Sequence, residues 1–415
     1  MGPRYPRPAR RGHTACAALA LGLTLMLFVG LPVAATAGGV GTWTNVSDAT
    51  GTSLTQAGLV TTPDGLLHVA WSRASATTGK KDLMHRTIRA NGTFGASQTV
   101  ESLWSRVNDP AMVFDPFDGR VYIVFSGTRG KTLPTGIYKG LTYTSSPDGG
   151  ASWTLNSGPI NPTDLASSSS PVSAIGTSNA LFTSWYGTSG VWVHRGVSAA
   201  TPAYNYQSGL GSSGYYSNLG LEKGGQLWLV WASNGTKGLY AQMVDQTSGG
   251  PSGTRYKLPS STTTYLGAEE FSMKNGRVPT TGRPKGGGVF VAYPSGYPGA
   301  TKVRLWKITA AKRTTMVVAG GTTKKYATAI AAAPDGRVWV AWSQLTSGRP
   351  QVFVRRSNTS ATRFGPTKAY TVPSGYGVVW NLAAAVRNGK LDVLAHLGGS
   401  GKAHATFHIQ FKPPT

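Results

Sequence analysis

Beyond residue 40 the hydrophobic pattern alternates with a period of two in short runs, and no long stretch carries the spacing of an amphipathic helix. The runs recur as one unit, a turn followed by an alternating strand. TPDGLLHVAWS (62–72) returns as PFDGRVYIVFS (116–126), IGTSNALFTSW (175–185), EKGGQLWLVWA (222–232), PKGGGVFVAYP (284–294), APDGRVWVAWS (333–343) and VRNGKLDVLAH (386–396). The closing residues are Trp71, Phe125, Trp185, Trp231, Tyr293, Trp342 and His396, spaced by 54, 60, 46, 62, 49 and 54. Asp-Gly and Gly-Gly between apolar runs are hairpin signals, because the tight turn needs positive φ. A period near 50 in an all-β pattern predicts propeller blades.

Each unit completes to four strands. A strand of small apolar residues precedes the turn, as in DPAMVFDP (109–116) and YATAIAAAP (326–334), suited to the crowded innermost position. A third strand follows a polar loop, as in DLMHRTI (82–88) and QVFVRRS (351–357), and a fourth often starts with an aromatic, as in ASWTLNS (151–157). The seventh unit runs out after ATFHIQF (405–411), and GTWTNVS (41–47) matches the missing fourth strand. The expected fold is therefore an all-β propeller of seven four-stranded blades, the N-terminal strand closing the last; one misread unit would make it six or eight. Blade three, around 175–197, is the weakest match.

The first residues lie outside this pattern. Arg4, Arg7, Arg10 and Arg11 precede an apolar run from Ala15 to Val33 and a small-residue site at Ala35-Thr36-Ala37. That arrangement predicts a secretory signal peptide over 1–37, cleaved to leave a single propeller domain over 38–415, exported, monomeric and without a membrane span. The sole cysteine, Cys16, falls in the leader, so disulfides and cysteine metal sites are excluded from the rest.

Lysine and arginine number 40 against 15 carboxylates, a net charge of +25; four of the arginines belong to the leader, which leaves +21. Such a surface attracts polyanions. Nucleic acid satisfies charge alone, and no motif for reading it is present. There is no H-E-x-x-H, P-loop or G-x-S-x-G, and no cofactor is implied.

One motif carries a family likeness. SSPDGGASWT (145–154) places Ser146, Asp148, Gly150 and Trp153 on the S-x-D-x-G-x-x-W pattern. The chain thereby resembles the sialidase-like, Asp-box (BNR-repeat) β-propeller superfamily. The resemblance implies glycan-directed function, with the Asp-box as a structural turn between strands three and four. The early arginine motif of sialidases has no counterpart here; Arg277-Val278-Pro279 lies too late, and no arginine triad can be placed.

In propellers a site usually lies over the axis, on the face formed by the loops between strands two and three and the leading ends of the inner strands. Here that face carries Arg73, Lys81, Arg129, Lys131, Lys237, Lys302 and Arg349, with Tyr216, Tyr293 and Trp380 as aromatic surface. Asp109 and Glu270 are the carboxylates that two blades bring near one axis, and glycosidases need such a pair. His68, His85 and His194 stand in mid-strand and read as core histidines. The favoured function is a secreted, extracellular propeller that binds acidic polysaccharide or cell-wall polymer through these cations and aromatics. The alternatives are a glycan-cleaving hydrolase or lyase acting through Asp109 and Glu270, and a protein-interaction scaffold.

Overall fold

The computed structural model describes residues 39–47, 56–133, 136–156, 160, 172–187, 190–198, 200–210, 214–222, 224–233, 238–258, 280–282, 288–295, 299–309, 313–399 and 402–413; residues 130–133, 136–139, 215, 280–282 and 402–403 are described as backbone only. The expected leader, 1–37, lies outside the described residues.

The described strands form seven four-stranded antiparallel sheets. Six consist of consecutive strands. Blade one runs Gly58–Thr61, Leu67–Ala74, Lys81–Ile88, Gln98–Trp104; blade two Arg106–Asp115, Arg120–Leu133, Gly136–Ser146, Thr154–Leu155. Blade three runs Ser173–Gly176, Leu181–Gly187, Gly190–Arg195, Ala203–Asn205; blade four Gly214–Leu221, Leu227–Ser233, Gly238–Val244, Pro251–Lys257. Blade five runs Thr280–Gly282, Val289–Ser295, Lys302–Ile308, Arg313–Ala319; blade six Lys325–Ala332, Val338–Thr346, Arg349–Arg356, Lys368–Thr371.

Blade seven takes Val378–Arg387, Lys390–Gly399 and Lys402–Phe411 from the C-terminal end and Thr44–Asn45 from the N-terminal end. Thr44 pairs with His408 and Asn45 with Phe407. Successive inner strands touch, and the last touches the first, so the sheets close into a ring. The seven-blade propeller read from the sequence is the fold. Blade three, the weakest match, is a complete sheet with an inner strand of only four residues.

The alternation explains the packing. Second strands are buried on both faces, as in LWLVWAS of blade four, because each lies between neighbouring blades. Trp71, Trp185, Trp231 and Trp342, the aromatics that close the repeat, are all buried. Inner strands use small residues, such as Ala329, Ala331, Ala383 and Ala384, where the sheets crowd the axis.

The closing blade is held by more than its ladder. Arg387 forms a two-pronged ion pair with Asp392, both contacts 2.9 Å, with both side chains at most 2% exposed. His408 Nε2 lies 2.7 Å from Asp392 Oδ1, and the Gln410 amide donates to the same oxygen at 3.2 Å. The remaining guanidinium nitrogen of Arg387, Nη1, donates to the carbonyls of Gly65 and Ile88 in blade one. Burial opposes ionisation of Asp392, yet hydrogen bonds from His408 and Arg387 outweigh it and hold the carboxyl below its ordinary 3.8.

The turn at 146–153 lies between strands three and four of blade two. Ser146 Oγ donates to Asp148 Oδ1 at 2.7 Å and accepts the Gly150 amide at 2.7 Å. Asp148 also accepts the Ser152 amide at 2.9 Å and the Ser152 hydroxyl at 2.6 Å, which lowers its pKa to about 2. Gly150 has φ +90°, and a Cβ there would meet His85 Cε1 of blade one at 2.6 Å. His85 stacks on His68, with Nδ1 of His68 3.1 Å from Nε2 of His85, and meets Trp153 edge-on at 5.0 Å between ring centres. Burial lowers the pKa of His68 to about 4 and of His85 to about 3, so both are neutral at pH 7. The turn thus clasps blade two to blade one.

Candidate functional site

The opposite face is built from irregular backbone. The ladder between the first two strands shifts register between Asn108 and Ala111 in blade two, Tyr215 and Asn218 in blade four, Tyr326 and Thr328 in blade six, and Val379 and Asn381 in blade seven. All four shifts sit at the leading ends of inner strands. A bulge re-aims the side chain it carries. Asp109 and Tyr216, on two of these bulges, both have φ +44°, a conformation costly for residues other than glycine.

Below these bulges a cavity of about 150 Å³ lies on the axis, lined by inner-strand residues from six blades. Its walls are mostly alanine, leucine and methionine; its polar groups are Gln56, Asn218, Asn381 and His396. Asn381 is 7% exposed, and its side-chain oxygen accepts no hydrogen bond among the described residues. His396 Nε2 lies 3.3 Å from Nδ1 of His404, whose ring in turn tilts against Trp380 at 5.9 Å. Burial lowers the pKa of His404, favouring the neutral ring that can accept a proton.

Asp109 is 4% exposed and accepts the Gln56 amide at 2.8 Å, so it bridges blades one and two at the axis. Arg106 lies on the same strand, within electrostatic reach of Asp109, and donates to Ser126 Oγ at 3.0 Å. Glu270, the expected second carboxylate, lies outside the described residues, as do Lys237 and the side chain of Lys131.

The expected cations and aromatics divide. Arg73 lies 3.6 Å from Asp82 and Arg129 lies 3.7 Å from Glu101. Arg129 also covers the Trp104 ring at 5.7 Å. Burial raises the pKa of Glu101, against the pull of Arg129. These two arginines are therefore partly balanced by blade-one carboxylates. Lys302 and Arg349 are exposed and Lys81 half-buried, at the starts of third strands. Tyr293 is 2% exposed and packs with Tyr216 and Trp306 between blades four and five; burial raises its hydroxyl pKa. Trp380 is half-buried beside the cavity.

Sequence reading passed over His396 and His404 as site residues. The signal was present at His396, where six other blades place Trp, Phe or Tyr. Among the described residues no cluster of three or more His, Cys, Asp or Glu side chains could hold a metal ion.

A ring of seven four-stranded blades around an axial cavity defines the class: a seven-bladed β-propeller. No protein-family model matches the chain, and no curated protein matches it in sequence. Among solved structures it is similar to a polysaccharide lyase of the PL25 family, an ulvan lyase, at 12% identity and TM-score 0.54, covering 91% of this chain and 97% of that one. It is also similar to the leech intramolecular trans-sialidase complexed with 2,7-anhydro-Neu5Ac, at 10% identity and TM-score 0.50, covering 82% and 70%. A chain of the mitotic checkpoint complex matches at 11% identity and TM-score 0.51, covering 96% and 99%. At such identities the likeness is one of fold.

Proposed function

We propose that the chain is an exported propeller of the sialidase-like, Asp-box type that binds an acidic polysaccharide or cell-wall polymer over its axial cavity. The observation that carries this reading is the convergence of four bulged strand ends, with strained Asp109 and Tyr216, on a cavity that holds an unsatisfied Asn381 oxygen. Backbone strain and orphaned polar atoms of this kind collect where a ligand completes the structure. Lys81, Lys302 and Arg349 stand around the face, and the net charge of +21 that remains without the leader draws a polyanion toward it. The ulvan lyase and the trans-sialidase are glycan-acting enzymes by name, which supports a carbohydrate ligand. Retention on immobilised heparin and pectate is expected to fall steeply between about 50 and about 500 mM NaCl, because ionic contacts are screened over that range. Retention that salt does not weaken would overturn the reading.

The second reading is glycan cleavage at the same place. It is favoured by the buried carboxylate of Asp109 and by the His396–His404 pair, a proton acceptor beside the cavity. Glu270 would supply the second carboxylate of a hydrolase. Asp109→Asn is expected to abolish release of reducing ends from acidic glycans, and an absence of turnover by the unaltered chain across a broad glycan panel would sink this reading.

A further inference from the structure

The clasp between blades one and two has a counterpart between blades five and six that is not filled. The ladders set the correspondence. Phe290 opposes Lys307 as His68 opposes Thr87, Leu305 takes the place of His85, and Met316 takes that of Gln98. In the turn of the following blade, SNTSATRF (357–364) stands where SPDGGASW (146–153) stands in blade two. Ala361 replaces Gly150 and keeps a positive φ, +51°, while Phe364 replaces Trp153. Between blades one and two the Trp153 indole packs on His85, and the Gln98 amide donates to the Gly150 carbonyl at 2.6 Å. Between blades five and six the smaller and apolar replacements leave a cavity of about 300 Å³ at the turn face. Phe290, Leu305 and Met316 floor it, Lys307 forms one wall, and Ser360 and Thr362 stand exposed at its mouth.

The cation in this cavity differs from its equivalents around the ring. Arg195 opposes Phe182 in blade three as Lys307 opposes Phe290, and it donates to the Gln246 carbonyl of the next blade's turn at 2.9 Å. Arg356, in the same place in blade six, pairs with Asp335 at 2.6 Å. Lys307 is half-buried and makes neither kind of contact among the described residues; its ammonium lies 5.3 Å from the centre of the Phe290 ring. No carboxylate lines the cavity. An ammonium held against an apolar floor without a counter-ion favours an incoming anion.

We infer that this cavity binds a small carboxylic acid with an apolar ring body, its carboxylate on Lys307 and its rings over Phe290, Leu305 and Met316. An apolar cavity of about 150 Å³ takes one benzene ring, so about twice that volume suits two fused rings or one ring with a short chain. The hydroxyls of Ser360 and Thr362, 3.1 Å apart, offer further donors at the mouth. A sugar ring suits the place poorly, because its hydroxyls would lose hydration against three apolar side chains. The site lies on the other face from the axial cavity and is independent of the reading given above.

The test is titration calorimetry of the protein at pH 7 with 2-naphthoate and with its neutral isostere 2-naphthamide. The acid is expected to bind about fivefold more tightly than the amide, the effect of one half-exposed ion pair. Lys307→Met should bring the acid down to the affinity of the amide and leave the amide unchanged. Met316→Trp, which returns an indole to the space, should abolish binding of both, and Lys307→Met keeps the test open if the larger side chain disturbs the fold. Saturating heparin should not displace the acid. Failure of both probes to bind at millimolar concentration, equal affinities for the two, an acid affinity that survives Lys307→Met, or displacement by heparin overturns the inference. None of these outcomes touches the axial reading.

Discussion

The two faces of the ring are built in different ways. On the face of the strand-three-to-four turns, side-chain acceptors close the loops. Asp148 holds Ser152, Asp245 holds the amides of Thr247 and Ser248, and Asn358 holds those of Thr362 and Arg363. The buried Arg387–Asp392–His408 network closes the ring at the same face. On the other face four inner strands begin in bulges, Asp109 and Tyr216 sit at positive φ on two of them, and Ser343, Trp380 and Asn381 carry unpaired atoms. Natural sequences break local rules mainly where function requires it, so the face of closed turns reads as scaffold and the bulged one as site.

That contrast can be broken most forcefully at Asp392. Asp392→Asn strips the counter-charge from Arg387 and should cost about 3–5 kcal/mol, the usual result of halving a buried pair, read as a lower denaturant midpoint with glycan binding unchanged below the transition. Gly150→Ala adds a Cβ in a left-handed conformation against His85 and should cost about 1–3 kcal/mol, again without altering binding. Asn381→Leu sharpens the contrast from the other side. It removes an unsatisfied buried oxygen and should stabilise the fold by about 1 kcal/mol while weakening binding, seen as a higher melting temperature with a larger Kd.

A smaller, graded effect belongs to the clasp. His68 and His85 titrate below their ordinary 6.5 in the fold, so the folded state binds fewer protons than the unfolded one over that range. Their contribution is complete above pH 6.5, declines as the pH falls and is lost below about 3. Asp64, whose own pKa is lowered despite some burial, partly offsets this by favouring protonated His68. His85→Gln should flatten the fall in denaturant midpoint between pH 7 and pH 4.5; an unchanged slope would remove the histidines from the account.

The fold was legible because it is repetitive. Seven copies of turn-plus-strand gave the blade count, and the likeness of GTWTNVS to ASWTLNS gave the closure, confirmed by the Thr44–His408 pairing. The Asp-Gly steps read as hairpin turns close on their own carboxylates: Asp64 accepts the Leu66 amide, Asp118 the Arg120 amide and Asp335 the Arg337 amide. The site was legible only in outline, because a bulge is a departure from the repeat and periodicity averages it away. Nothing in YYSN (215–218) or VWN (379–381) announces the extra residue. Charge is equally silent about pairing, so Arg73 and Arg129 read as open cations although Asp82 and Glu101 lie beside them. The exception to the closing aromatic, His396, is visible in the alignment of units, but only the structure shows that it lines the axial cavity.

The most direct test compares two doubly charge-reversed variants of identical net charge. Lys302→Glu with Arg349→Glu alters the face over the axis, and Arg89→Glu with Lys390→Glu alters the turn face. Binding to heparin at fixed salt should weaken at least about tenfold for the first pair and stay near the unaltered level for the second. Equal losses from both pairs, or a greater loss from the turn-face pair, would contradict the assignment of the site to the axial face.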